Sequence, residues 1–400
     1  MKVCLVSAYF APQEIGGAEK AARLLAENLV ARGWEVAVLA SWPHDETIVL
    51  PSGLKVHRVR TGPVPPRGGA GRWLFRLRNV WNATAYRKVR VILAAERPQL
   101  VSVHNFATFS PSVFAAARSL KLPLVFTAHD YFPLCRHYSF ERNGRPCPGH
   151  CWACRLWSRW NRCTLERTPA VYLSEYSREL YRRHVPAPRA LVLPNPVDLS
   201  EAQIAANREE KEALRRRPPV PPVTWLFLGR LDPFKGILAV MRGWERAGAH
   251  GSRLRIAGDG PLRADVLRWA ERRPEVEVLG FVSGEAKHRA LIAADGLLLP
   301  TRATDISPLV IPEALGYGVP VLGSDAGAVA ELIRPGVTGW LCDCADAGAF
   351  ARSVAEISRD PMIIRSLSDS CFAAARERTY ESYMPRIMAY YEGIAGGPEA

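Results

Sequence analysis

The chain contains no apolar run approaching the about 18–20 residues that a membrane-spanning helix requires, so no transmembrane helix is expected. Its opening, Met1-Lys-Val-Cys-Leu-Val-Ser7, has no small-residue cleavage site behind a basic and apolar stretch. It reads as a first strand and not as a signal peptide, and a cytoplasmic location is the expectation. There is no Gly-x-Gly-x-x-Gly, which removes the dinucleotide fingerprint. There is no zinc finger, helix-turn-helix signature or aromatic-rich RNA motif, which argues against nucleic acid as a partner. No Asp-x-Asp stands ready for a catalytic metal, and no short-period repeat suggests a solenoid. Acidic residues are in deficit: 39 against 53 Lys and Arg, a net charge of +14. Such an excess draws anionic partners, either phosphorylated substrates or acidic lipid. An arginine-rich composition with no function of its own is the alternative.

What is present is ordinary globular material, with 48% apolar and 23% charged residues, enough to bury real cores. Four hundred residues suggest two or three domains. Lys2–Ala8 reads as a buried strand, followed by a Pro- and Gly-rich loop and a helix over Ala18–Arg32 that Gly33 stops. Glu35–Ala40 is the next strand. This order predicts a parallel sheet covered by helices on both faces. Further strands are predicted at Lys55–Val59, Leu100–His104, Leu124–Ala128, Ala170–Ser174 and Ala190–Leu193. The polar stretch Glu201–Pro222, ending Arg-Arg-Arg-Pro-Pro-Val-Pro-Pro, reads as a junction, helical in part and then extended. Beyond it strand and helix alternate again: strands at 223–228, 253–257, 276–279, 296–299 and 319–323, with helices between. That is a second doubly wound domain.

Its loops carry the chemistry. Trp225-Leu-Phe-Leu-Gly229-Arg230 is an apolar strand ending in a glycine, followed by two cations, Arg230 and Lys235. Downstream, Asp305-Ile-Ser-Pro-Leu-Val-Ile-Pro-Glu313 holds two carboxylates, one in a loop and one in the first turn of a predicted helix. Pro312 is pre-set for a helix start, and the Ser307 side chain can accept from nearby free N–H groups. A helix N-terminus favours an anion. Two cations, an anion site and two carboxylates suit a diphosphate that carries hydroxyl-rich groups, that is, a nucleotide sugar.

The ordered set of motifs resembles that of retaining glycosyltransferases of the GT-B fold, family 4 type. The pieces are Gly229-Arg230 with Lys235, Ile256-Ala-Gly258-Asp-Gly-Pro, Leu279-Gly-Phe281-Val-Ser, Asp305 to Glu313, and Ser324-Asp-Ala-Gly327-Ala-Val-Ala-Glu331. The N-terminal half adds Gly16-Gly17-Ala-Glu19, Thr127-Ala-His129-Asp130, Ser174-Glu-Tyr and Pro194-Asn195-Pro-Val-Asp198. One departure stands out: the family has Glu followed by Gly-Phe-Gly where this chain has Asp305 followed by Ile-Ser-Pro, which bears on the identity of the sugar. The resemblance implies an α/β GT-B architecture of two Rossmann-like domains facing a cleft. An acceptor domain would span 1–200, with a cysteine-rich insertion at 131–165, and a nucleotide-sugar domain 201–378. A final helix in 379–400 would pack back on the first domain.

The roles follow the same resemblance. Arg230 and Lys235 would neutralise the donor diphosphate, Glu313 would accept from the ribose hydroxyls, and Asp305 and His129 would meet the donor sugar. Gly17, Gly229 and Gly258 would let backbone approach the donor. Phe281 and Val282 would hold the base, and Ser307, Pro308 and Leu309 would present N–H groups to the distal phosphate. His104-Asn105 is a lesser candidate at the end of the preceding strand. The implied reaction moves a sugar to a saccharide or lipid-linked acceptor with retention, and it needs no catalytic metal. A nucleotide-sugar epimerase and a non-catalytic metal-binding scaffold are the alternatives.

Two features stand outside that set. Cys135, Cys147, Cys151, Cys154 and Cys163 lie close in sequence, and Cys151-Trp-Ala-Cys154 has a zinc-ligand gap. Structural zinc on four of them, with Cys163 as a substitute ligand, competes with an iron–sulfur cluster and with uncoordinated thiols packing a Trp-rich insertion. A basic helix with aromatics at Arg72–Ala94 suits either an anionic membrane surface on the inner face of the cell membrane or ordinary packing on the sheet.

Overall fold

A computed structural model describes residues 1–11, 16–62, 78–136, 140–142, 145–147, 149–216, 222–248, 251–301 and 305–397. Two compact units emerge. One holds Met1–Asn195 with Tyr383–Ala400, the other Pro196–Ser382.

The first unit is built on strands β1 (Lys2–Ser7), β2 (Glu35–Ser41), β3 (Glu46–Val49), β4 (Lys55–Val59), β5 (Leu100–Asn105) and β6 (Leu124–Ala128). The two-residue β7 (Glu141–Arg142) and β8 (Arg145–Pro146) pair only with each other, and β9 (Ala170–Tyr172) and β10 (Ala190–Val192) complete the main sheet. The sheet order is β10-β9-β6-β5-β1-β2-β4-β3, parallel except where β3 runs against β4. Val3, Cys4, Leu5 and Val6 of β1 are fully buried, as a central strand covered on both faces requires. The helix Gly17–Val30 follows and buries Ala22, Leu25, Ala26 and Leu29 against the sheet. Glu96, at the end of the helix Ala83–Glu96, is pinned at the sheet edge by Lys2 (2.9 Å), Lys55 (2.6 Å) and His57 (2.8 Å).

The second sheet contains β11 (Thr224–Leu228), β12 (Arg253–Ala257), β13 (Val276–Gly280), β14 (Gly296–Leu299), β15 (Val321–Ser324) and β16 (Gly339–Cys342). All are parallel, in the order β13-β12-β11-β14-β15-β16. Alternation along β11 assigns the two faces. Trp225 and Phe227 join Ile237, Val240, Trp244 and Phe350 on one side. Leu226 joins Leu297, Ile311, Leu315 and Phe372 on the other. The helix Glu201–Arg215, where a junction was expected, belongs to this unit and not between units. A Ser200–Gln203 capping box starts it, and Asn207 and Lys211 tie it to the Gly316 and Ala294 carbonyls.

The last helix, Tyr380–Ala395, starts in the second unit and ends in the first. There Tyr391 bonds Ser102 (2.7 Å), and the Tyr390 hydroxyl donates to the Ala170 and Arg189 carbonyls.

Candidate functional site

In an open parallel sheet, ligands gather at the carboxyl ends of the strands where the order reverses. In the second unit that point lies between β11 and β14. Gly229-Arg230 follows β11, and the chain to Asp305 follows β14. Asp232 shapes the first loop. One of its oxygens accepts from the Phe234 and Lys235 amides (3.0 and 2.9 Å), and the other faces Arg230 Nε at 3.3 Å. Thr301, just past β14, donates to the Phe234 carbonyl at 3.1 Å. Gly236 sits at φ +81, where a Cβ would strike the Pro300 carbonyl. The Lys235 loop is thereby clamped to the end of β14, and the Lys235 ammonium donates to the Asp305 carboxylate. Of the expected donor residues, Lys235 and Asp305 are in contact, and Arg230 is tied to the same loop through Asp232.

Gly258 is required on steric grounds. Its φ is +149, and a Cβ would overlap the Gly229 carbonyl oxygen. The ends of β11 and β12 approach that closely. After β13, the Phe281 side chain is 76% exposed, a bare ring at the same edge, and Val282 packs partly on the core. Glu313 lies in the six-residue helix Val310–Leu315 and pairs with Lys287 at 2.7 Å. Lys287, from the helix Gly284–Ile292, was not foreseen. Its sequence context, Glu-Ala-Lys-His, reads as an ordinary surface helix. The helix starts at Val310 with Glu313 in its first turn, as expected. Leu309 is the N-cap, no side chain caps it, and Pro312 falls inside the helix, so Ser307 does not act as a cap. The chain turns through Ser307-Pro308, and the Ile311 amide bonds to the Pro308 carbonyl.

In the first unit, Gly17 opens its helix behind an extended Gly16, and Glu19 is buried. His129 follows β6. Its Nε2 meets His104 Nδ1 at 2.9 Å, His104 Nε2 meets the Ser102 hydroxyl at 3.1 Å, and Ser102 meets Tyr391. Burial lowers His129 to about 4 and holds His104 well below the usual imidazole range, with the facing His129 adding to the effect. Both rings are therefore neutral near pH 7 and act as hydrogen-bonding groups, not cations. The Asp130 carboxyl is raised to about 6 by burial, against the Phe132 amide bond (2.8 Å) that favours its charge, while nearby Glu19 raises it further.

Of the cysteine cluster, Cys135, Cys151 and Cys154 lie near one another. Among the described residues no group of three or more His, Cys, Asp or Glu side chains is placed to hold a metal ion. Cys151 is the exposed N-cap of the helix Trp152–Leu165, while Cys154, one turn on, points inward. Burial pushes the Cys154 thiol up to about 12, and Cys135 and Cys151 lie near it. Cys163 is exposed and donates to the Arg159 carbonyl.

The same helix shows a feature that the sequence reading missed. Trp152 (76% exposed), Leu156 and Trp160 recur every fourth residue on its outer side, interleaved with Arg155, Arg159 and Arg162 and with no acidic residue. Of the basic stretch Arg72–Ala94, residues 72–77 lie outside the described residues. The described part forms a helix from Ala83 that buries Ala85, Val89 and Leu93, the packing alternative. Among the described residues no helix is long and apolar enough to cross a membrane.

Two family models cover most of the chain: Glycosyltransferase Family 4 over residues 15–201 and Glycosyl transferases group 1 over 222–360. A phosphatidyl-myo-inositol mannosyltransferase of Mycobacterium leprae is 25% identical over 392 residues, 95% of this chain and 94% of that protein. Sucrose-phosphate synthase from Thermosynechococcus elongatus shares the fold with a TM-score of 0.77 at 20% identity, over 99% of this chain and 100% of that one. Anabaena Alr3699/HepE, solved with UDP and glucose, superposes with a TM-score of 0.71 at 17% identity, over 98% of this chain and 99% of that one.

Proposed function

On the premise that the chain is a GT-B glycosyltransferase with family 4 and group 1 domains, we propose that it transfers a hexose from a nucleoside diphosphate with retention of anomeric configuration. The acceptor is a saccharide or a lipid-linked saccharide. The observation that carries this reading is the grouping of Arg230, Lys235 and Asp305 at the point where the second sheet reverses order. Negative charge grows on the leaving diphosphate in the transition state. Arg230 meets it with a planar fork and Lys235 with a point charge. A diphosphate that engages Lys235 frees Asp305 to accept from the donor sugar's hydroxyls. Glu313 accepts from the ribose, held in place by Lys287. Phe281 stacks on the base, with Val282 beside it. Gly17, Gly229 and Gly258 permit close backbone approach, and the Ser307-Pro308-Leu309 turn lines the distal phosphate. His129, neutral, hydrogen-bonds a sugar hydroxyl.

Among the described residues no carboxylate presents itself as a nucleophile, so the leaving phosphate itself assists the incoming hydroxyl on the same face. These residues need no catalytic metal. The name of the mannosyltransferase relative supports a lipid-bearing acceptor, and the UDP and glucose bound by the structural neighbour support the donor class. The epimerase and scaffold alternatives draw no support from these relatives.

The exposed Trp152–Leu156–Trp160 face, interleaved with arginines, supports peripheral attachment to an anionic membrane surface. The test of the donor assignment is a thermal-shift screen of nucleotide sugars and nucleoside diphosphates. A ligand that binds only the folded chain raises Tm. A rise with at least one of them that Arg230→Ala abolishes is expected; no rise with any sinks the proposal.

A further inference from the structure

The second sheet carries a thiol pair that the reaction does not use. Cys342 closes the edge strand β16, and Asp343 then opens a turn: its carboxylate accepts from the Ala345 amide (2.9 Å), and its carbonyl from the Asp346 amide. Residues two apart on a strand point to the same face. The turn folds Cys344 back, so that the two sulfurs lie 3.2 Å apart, in contact and unbonded. Cys342 is almost buried and Cys344 half-buried, and the pair sits against the core and not in open solvent.

We propose that Cys342 and Cys344 are a reversible oxidation site that closes to a disulfide when the chain meets a peroxide. The Cys342 thiolate takes one oxygen from hydrogen peroxide, the O–O bond breaks, and the released hydroxide leaves as water. The Cys344 thiol then attacks the sulfenic sulfur. The S–O bond breaks, the thiol proton leaves with that hydroxyl as a second water, and the S–S bond forms. Both sulfurs are oxidised and the peroxide is reduced. The Cys344 thiol hydrogen-bonded to Cys342 lowers the pKa of the latter, which favours Cys342 as the first nucleophile. A bridge across a single residue is strained, and strained bridges are the easily reduced, regulatory kind.

The site is joined to the donor edge. β16 pairs with β15 so that Cys342 stands opposite Ser324, and the Asp325 amide bonds to the Cys342 carbonyl at 2.9 Å. The Ser324 hydroxyl donates to the Thr301 carbonyl, at the head of the segment leading to Asp305. Closing the bridge draws on this strand end, and so on nucleotide binding. That last step rests on the donor assignment above; the oxidation itself does not.

The full chain is treated with hydrogen peroxide and the tryptic peptide holding both cysteines, which contains no other, is weighed. The expected result is a loss of two hydrogens, reversed by dithiothreitol. In Cys344→Ser the expected result is no such loss, with a dimedone-trapped sulfenic acid on Cys342. Two thiols still alkylated in the wild-type peptide, or oxygen added to both without a bridge, would overturn the proposal. For the coupling, the Tm rise given by UDP or GDP is compared before and after oxidation. A smaller rise that dithiothreitol restores is expected. An unchanged rise overturns the coupling, and no rise in the reduced chain is a failure of the donor assignment instead.

Discussion

Replacing Arg230 with alanine separates chemistry from folding. The Arg230 side chain is 65% exposed and pairs with Asp232 at 3.3 Å. Exposed ion pairs are worth about 0–1 kcal/mol. The loop does not depend on this one, because the other oxygen of Asp232 still holds the Phe234 and Lys235 amides. The loss of stability should therefore stay below about 1 kcal/mol, or roughly 2–4 °C in Tm for a unit of this size. Turnover should respond far more. A preorganised donor aimed at developing charge is worth about 10²–10³ in kcat. Arg230→Lys should fall between, since it keeps the charge and loses the paired geometry. The assay is release of nucleoside diphosphate at saturating donor, run beside a thermal melt. A kcat within about threefold of wild type would refute the phosphate role. A fall in Tm well beyond about 4 °C would show that the arginine is structural instead.

Glu313→Gln should weaken donor binding by about 1.5–3 kcal/mol, the worth of a charge-assisted bond, with little change in Tm; calorimetric titration of the donor reads it, and unchanged affinity removes Glu313 from the ribose. Glu96 tests the fold: burial would raise its carboxyl, but bonds from Lys55, Lys2 and His57 hold it at about 2 against an ordinary 4.5. Its stabilisation is present above pH 4.5 and lost as pH falls toward 2, so urea unfolding of Glu96→Gln should show a flatter acid limb, and identical limbs contradict the assignment. Trp152→Ala with Trp160→Ala should abolish flotation with anionic vesicles while leaving turnover of a soluble acceptor intact; undiminished flotation places the membrane contact elsewhere.

Both sheets were legible because their strands are unbroken apolar runs, as at Val3–Val6 and at Trp225–Leu228, which Gly229 ends. β3 was not, since Glu46 and Thr47 leave it half polar and exposed. β16 was missed as well, as its four residues at an edge carry no periodic signal. In the site, the cations and carboxylates were readable from type and spacing. Their partners were not. Lys287 reaches Glu313 from another helix, and His104 meets His129 only because β5 and β6 are neighbours. Ser307 had the right chemistry for a cap, but the N-cap position falls two residues later, on Leu309. The spacing of Cys151 and Cys154 suggested a shared metal, and one helical turn does bring the two thiols together, but among the described residues no group of three ligands is placed to hold an ion. Fourfold spacing of Trp152, Leu156 and Trp160 was visible, but periodicity cannot say which face of a helix meets water.

A crystal grown with a nucleoside diphosphate tests the whole account most directly. The account predicts both phosphates between Arg230 and Lys235, with the ribose on Glu313 and the base against Phe281. A nucleotide bound away from the β11–β14 edge, with those side chains untouched, would contradict it.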